Sequence, residues 1–107
     1  MSQDLLEEIK KEIDENPILL FVKGSKEMPM CGFSARTIEV FKRIGKPFKT
    51  IDILPDPAIR QTLSSHSNWP TIPQVFIKGK FIGGCDIVME MYQEGELQKL
   101  VDEAFRS

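Results

Sequence analysis

The sequence predicts an α/β domain in three layers: a central four-stranded mixed sheet, part parallel and part antiparallel, flanked by helices on both faces. Three observations predict it. Ile18, Leu19, Leu20, Phe21 and Val22 form an unbroken apolar run between Pro17 and Gly24, the pattern of a strand covered on both faces. Amphipathic segments at helical spacing lie on either side of that run and alternate with further strand-like runs. Lys78-Gly79-Lys80 separates two short apolar runs and marks a late hairpin, so the sheet must mix its strand directions.

Taken in order, Leu5, Leu6, Ile9 and Ile13 form one stripe among Asp4, Glu7, Glu8, Lys11 and Glu12, and Asn16-Pro17 ends this packing helix. The run from Ile18 to Val22 is the central strand. Residues 24 to 30, Gly-Ser-Lys-Glu-Met-Pro-Met, combine turn formers without a period and form a loop that delivers the chain to Cys31. Helical spacing returns from about Ser34, with Ile38, Phe41 and Ile44 on one face and Gly45 and Pro47 beyond the end. Phe48 to Ile53 reads as a second strand, parallel to the first through a right-handed crossover because a helix intervenes.

Asp56-Pro57 opens the next helix, the aspartate as N-cap and the proline at the first helical position, with Ile59 and Leu63 turned inward. Gln74 to Ile77 and Phe81-Ile82 are the hairpin strands, and Gly83-Gly84 interrupts them. Two helical stretches parted at Gly95 close the chain, the last burying Leu97, Leu100, Val101 and Phe105. The order is αβαβαββα with a divided final helix, without internal repeats or low-complexity segments.

At 107 residues and 41% apolar composition, the chain is expected to form one domain over residues 1–107 with one modest core. A net charge of -2, with both signs interleaved, leaves no basic stripe to neutralise phosphates, which speaks against a nucleic-acid partner. No apolar run approaches the ~18 to 20 residues that span a bilayer. The start, Met1 to Glu15, is polar and acid-rich where a signal peptide is basic and then apolar, so a cytoplasmic protein without a membrane partner is expected. Cys31 and Cys85 are too few for the disulfide framework of a small secreted protein and point to thiol chemistry in a reducing compartment.

Cys31-Gly32-Phe33-Ser34 falls where the apolar strand gives way to a helix. Cys31 is therefore expected near that helix's N-terminus, with backbone N–H groups directed at its sulfur. This favours the reactive thiolate over a thiol whose unperturbed pKa is ~8.5. Lys23, at the end of the preceding strand, either adds positive charge there or serves a ligand carboxylate. The alternative, a buried inert cysteine, suits a loop of Gly, Pro and polar groups poorly. A dithiol centre of Cys-x-x-Cys form would carry its second cysteine at position 34, which here is Ser34. A hydroxyl cannot form a disulfide, so a redox cycle needs a second thiol, from Cys85 or from an external small molecule.

The string Cys-Gly-Phe-Ser, preceded by Phe21-Val22-Lys23-Gly24 and by a loop ending Met28-Pro29-Met30, resembles the active site of monothiol glutaredoxins of the CGFS type. Trp69-Pro70-Thr71-Ile72-Pro73-Gln74 and Gly83-Gly84-Cys85-Asp86 resemble that family's two other motifs, in the family's order, so the resemblance covers nearly the whole chain. It implies a thioredoxin-like (glutaredoxin) fold that gathers the three motifs around glutathione. Lys23 and Arg60 would hold the glycine carboxylate of glutathione, a group that the planar fork of Arg60 fits well. The Ile72-Pro73 bond would be cis and face Cys31, letting the backbone of Ile72 pair with that of glutathione like an added strand. The amides of Cys85 and Asp86 would bind the γ-glutamyl carboxylate, while the Asp86 side chain meets its ammonium or caps a helix.

By the same reading, Cys85 is either a packing residue or the thiol that resolves a mixed disulfide on Cys31. Trp69 and Phe33 shape the site or simply pack. His66, the single histidine, reads as a helix-end or surface residue, and Met28, Met30, Met89 and Met91 follow no metal-ligand pattern.

Ligand arithmetic orders the functions that the resemblance implies. A [2Fe-2S] cluster takes four thiolate ligands. One accessible cysteine from each of two chains, plus two glutathione thiols, supplies four. The first reading is therefore a carrier whose Cys31 ligates a [2Fe-2S] cluster shared between two subunits. Such a homodimer would store clusters, deliver them to acceptor apoproteins and serve iron homeostasis, with at most weak enzymatic activity. The second is a glutathione-dependent thiol-disulfide oxidoreductase in which Cys31 attacks a glutathionylated protein. The loop before Cys31, longer than in dithiol relatives, would seat glutathione less well for that exchange. The third is a regulatory module that binds BolA-type proteins.

Overall fold

Every residue of the strand Ile18–Val22 is buried, and the sheet is assembled around it. A computed structural model describes residues 2–106 as α1 (Ser2–Glu15), β1 (Ile18–Val22), α2 (Gly32–Ile44), β2 (Lys49–Asp52), α3 (Pro57–Ser67), β3 (Gln74–Ile77), β4 (Lys80–Gly83), α4 (Cys85–Gln93) and α5 (Glu96–Ala104). The strand order is β2-β1-β3-β4. β1 runs parallel to β2, with Val22 opposite Asp52, and antiparallel to β3, with Phe21 opposite Gln74. The expected mixed sheet with a central first strand is what forms.

Alternation along β1 divides its side chains between two cores. Ile18, Leu20 and Val22 join Val75 and Ile77 against Ile38 and Phe41 of α2, Val88 of α4 and Leu97 and Val101 of α5. Leu19 and Phe21 join Phe76 against Ile9 and Ile13 of α1 and Leu63 of α3. The unbroken apolar run is thus explained by helices on both faces. No helix among the described residues is long and apolar enough to cross a membrane.

Local signals set the boundaries. Asp56 caps α3 by accepting from the Ala58 N–H at 3.0 Å, and Pro57 follows at the first helical position. Gly45 ends α2 in the left-handed conformation at φ 84° and donates to the Phe41 carbonyl. Lys78 and Gly79, at φ 52° and 80°, close the hairpin, which Ile77 and Lys80 already pair across.

Three elements differ in their bounds from the sequence expectation. α2 begins at Gly32 instead of Ser34, because the extended Cys31 already acts as N-cap and its carbonyl accepts from Ala35 at 2.9 Å. β2 lacks Phe48 and Ile53 at its ends; the Phe48 ring lies against Phe41 instead, with centroids 5.9 Å apart. β4 starts one residue early, at Lys80, and runs one residue further, through Gly83, which pairs with Val75.

Candidate thiol site

The C-terminal end of β1 carries Lys23 and then a loop that is closed upon itself. The Met30 N–H donates to the Lys23 carbonyl at 2.8 Å, the Ser25 N–H to the Met28 carbonyl at 3.1 Å, and the Met28 N–H to the Ser25 hydroxyl at 2.9 Å. Two ties anchor this lobe to the body. The Gly24 N–H donates to Asp52 Oδ1 at 3.0 Å, and the Lys26 ammonium donates to the Phe48 carbonyl at 2.5 Å while lying 4.1 Å from the centre of that ring. The segment expected as a plain loop is a hydrogen-bonded lobe.

Cys31 emerges from it extended, at φ -152° and ψ 136°, as the residue from which α2 starts. Its thiol is held below the usual cysteine value. The backbone N–H of Ser34 contributes most; burial, the next largest influence, opposes it, and the Phe33 N–H, the positive charge of Lys23 and the Ser34 hydroxyl add to the lowering. No contact of Cys31 has the geometry of a capping hydrogen bond, so these amides act as oriented dipoles at a helix start. Ser34 is wholly buried, and its hydroxyl accepts from the Lys23 N–H at 3.1 Å. At the position where a second cysteine would stand in a dithiol centre, the chain has a tie between β1 and α2.

A cleft of about 630 Å³ brings together all six residues singled out in the sequence: Lys23, Cys31, Arg60, Ile72, Cys85 and Asp86. Phe33 and Trp69 border it too. Arg60 comes from the first turn of α3, and Lys23 from the end of β1. The Ile72-Pro73 peptide bond is cis, and Ile72 borders the cleft while its side chain, 6% exposed, belongs to the α1–α3 core.

At the opposite wall, Gly84 is the N-cap of α4. Asp86 is therefore not the cap; it is the second residue of the helix, because the extended backbone of Gly84 already opens it. The first intrahelical donor of α4 is Val88, to Gly84, which leaves the amides of Cys85 and Asp86 among the unpaired donors of a helix start. Cys85 is buried and Cys31 half-buried, both as free thiols. His66 is an exposed residue in the last turn of α3.

Several contributors escaped the sequence reading. Gln74, wholly buried, donates to the carbonyls of Trp69 at 3.0 Å and Thr71 at 3.2 Å and so ties down the turn before the cis bond. Its place at the end of the Trp69–Gln74 motif and its polarity at the start of an apolar strand were its signals, but neither gave it this role. Among the described residues the large exposed apolar side chains are Met28, Met30, Phe33, Leu54 and Ile87. Phe33 and Ile87 border the cleft, Met28 and Met30 belong to the lobe before Cys31, and the Leu54 N–H shares Asp52 Oδ1 with Gly24. Met28, Met30, Phe33 and Ile87 thus make an apolar collar beside the thiol.

A lone thiol opening the helix after the central strand of a mixed sheet, beside a cis-proline turn, defines a thioredoxin-like thiol protein. A family model described as glutaredoxin matches residues 18–82. Glutaredoxin 4 of Haemophilus influenzae (strain 86-028NP) is 53% identical over 100 residues, covering 94% of this chain and 94% of the relative. The solution structure of reduced poplar apo GrxS14 superposes with a TM-score of 0.85 at 42% identity, over 96% of this chain and 94% of that one. The crystal structure of a buckwheat glutaredoxin–glutathione complex superposes with a TM-score of 0.86 at 31% identity, over 96% and 92%. The chain belongs to the glutaredoxin family.

Proposed function

We propose that this chain is a cytoplasmic monothiol glutaredoxin that binds glutathione beside Cys31 and holds a [2Fe-2S] cluster jointly with a second copy of itself, for delivery to acceptor apoproteins. The observation that carries the reading is a single accessible thiol, lowered in pKa, at the edge of a cleft with cations at one wall and free helix amides at the other. Such a cleft suits a peptide bearing a carboxylate at each end. Lys23 and Arg60 would take the glycine carboxylate, and the Cys85 and Asp86 amides the γ-glutamyl end, which places the glutathione sulfur toward Cys31.

The donor set fits a cluster only if ligands come from outside the chain. The chain has two cysteines, one of them buried, and among the described residues no three or more His, Cys, Asp or Glu side chains are grouped so that they could hold a metal ion. Cys31 and a glutathione thiol supply two of four sulfurs, and a second copy with its own glutathione supplies the rest. The apolar collar supports a partner at this face, because large apolar side chains concentrated at one site mark interaction surfaces. A BolA-type protein would use the same face.

Anaerobic reconstitution with iron, sulfide and glutathione tests the proposal. A cluster absorbance spectrum on a dimeric species, lost in Cys31→Ser and lost when glutathione is omitted, is the expected result. The lowered thiol pKa favours the second reading, glutathione-dependent reduction of mixed disulfides. Rapid deglutathionylation with no cluster under those conditions decides for that activity.

A further inference from the structure

We infer that Asp52 and Ser34 are positioning residues for Lys23, fixing its backbone so that its ammonium meets the glutathione carboxylate. The inference rests on the proposed role of Lys23 in binding glutathione.

Lys23 follows the last residue of β1, where the strand ladder no longer holds the chain. Three hydrogen bonds take its place. Its N–H donates to the Ser34 hydroxyl at 3.1 Å, its carbonyl accepts from the Met30 N–H at 2.8 Å, and the next N–H, of Gly24, donates to Asp52 Oδ1 at 3.0 Å. Both peptide groups that flank the Lys23 Cα are thereby held, and with them the direction of its side chain. Each tie leads to a different part of the site. Ser34 is wholly buried in the first turn of α2, the helix that Cys31 caps. Asp52 ends β2 opposite Val22.

The Asp52 carboxylate is itself held, because the same Oδ1 accepts from the Leu54 N–H at 2.9 Å. Its partners are two backbone amides and no cation: the salt bridges among the described residues are Arg43–Glu39 and Lys49–Glu12. The Lys23 ammonium takes part in neither and is available to a ligand. A lysine stem has several rotatable bonds, so a fixed origin matters more for Lys23 than for a short side chain. Asp52 contributes through the hydrogen bond it accepts and not through its charge, a distinction that can be measured.

The experiment is a titration of the isotope-labelled protein with reduced glutathione, followed by amide NMR, which reports fold and affinity together. Asp52→Ala is expected to weaken binding about fivefold, the worth of roughly one net hydrogen bond. Asp52→Asn keeps an acceptor oxygen and is expected to restore affinity to within about twofold, as is Ser34→Thr relative to Ser34→Ala. If Asp52 acts through Lys23, adding Asp52→Ala to Lys23→Ala changes affinity less than about twofold, because coupled residues are not additive.

The inference is overturned if Asp52→Ala weakens binding equally with and without Lys23, or if Asp52→Asn is as weak as Asp52→Ala. It is also overturned if Asp52→Ala leaves affinity unchanged while Lys23→Ala lowers it. An unchanged affinity in Lys23→Ala alone marks failure of the underlying glutathione assignment. Should the buried Ser34→Ala not fold, the Asp52 set at the partly exposed site decides the matter.

Discussion

Gly24→Ala is the sharpest probe of the lobe that delivers Cys31. Gly24 sits at φ +93°, and a Cβ there would stand 2.5 Å from the Met28 carbonyl oxygen and 2.6 Å from the Met30 nitrogen, where ordinary contact begins at 3.4 Å. Both obstacles are backbone, so no rotamer change relieves them. Gly45→Ala supplies the control: its φ is +84°, but nothing lies within 4 Å of the added Cβ. An L-residue at such φ costs about 1–2 kcal/mol, and that is the whole expected loss at Gly45. At Gly24 the lobe must also open, giving up the Met30–Lys23 and Gly24–Asp52 hydrogen bonds. These contribute about 1 kcal/mol each. The expected destabilisation is about 3–4 kcal/mol for Gly24→Ala against about 1–2 for Gly45→Ala, read by urea denaturation with the fluorescence of Trp69, the single tryptophan. A Gly24→Ala protein within about 0.5 kcal/mol of Gly45→Ala would refute a lobe closed tightly enough to position the thiol.

Three further outcomes can be checked. Iodoacetamide alkylation of Cys31 should reach half its maximal rate at a lower pH in the folded than in the urea-unfolded protein, since the folded thiol lies below its usual value; Lys23→Ala should move the folded midpoint up. By linkage, a depressed folded pKa contributes stability that is present above the unfolded thiol pKa and lost as pH falls through the folded one. Asp56→Ala removes the cap that accepts from Ala58 and should cost about 1 kcal/mol in denaturation, together with weaker glutathione binding, because α3 carries Arg60. Met28→Ser with Met30→Ser, at side chains 69% and 64% exposed, should leave stability within about 0.5 kcal/mol of the parent while shortening the lifetime of a reconstituted dimer; an unchanged dimer lifetime counts against the collar as a docking face.

Local chemistry was legible in the sequence, and long-range closure was not. The run from Ile18 to Val22, the Asp56-Pro57 cap and the Gly45 terminus each announce themselves through neighbours in the chain, and each falls where expected. The three motifs could be placed around one cleft because the family resemblance supplied their convergence; periodicity alone does not bring residue 60 near residue 86. The lobe from Gly24 to Met30 read only as turn formers, since its shape depends on Asp52 and Phe48, more than 20 residues away. Ser34 was legible as a missing sulfur but not as a hydrogen-bond acceptor. Asp86 looked like a cap because aspartate favours that position, whereas the extended Gly84 takes it.

The same construction that lowers the Cys31 pKa also leaves the thiol without a second sulfur in its own motif. A Cys-x-x-Cys centre can use its second thiol to release a mixed disulfide, which suits a self-contained redox cycle. Here the corresponding hydroxyl is committed to the Lys23 amide and is wholly buried. Release falls to Cys85, which borders the same cleft, or to a thiol from outside, and Met28, Met30, Phe33 and Ile87 make an apolar collar beside Cys31. The ties at Phe48 and Asp52 hold the lobe that carries Met28 and Met30, whose side chains stand exposed. A glutathionylated protein substrate and a second copy sharing a cluster would each bring a protein surface to this face, so the lifetime of the reconstituted dimer in Met28→Ser with Met30→Ser, set beside the deglutathionylation rate of the same variant, is what separates the two readings.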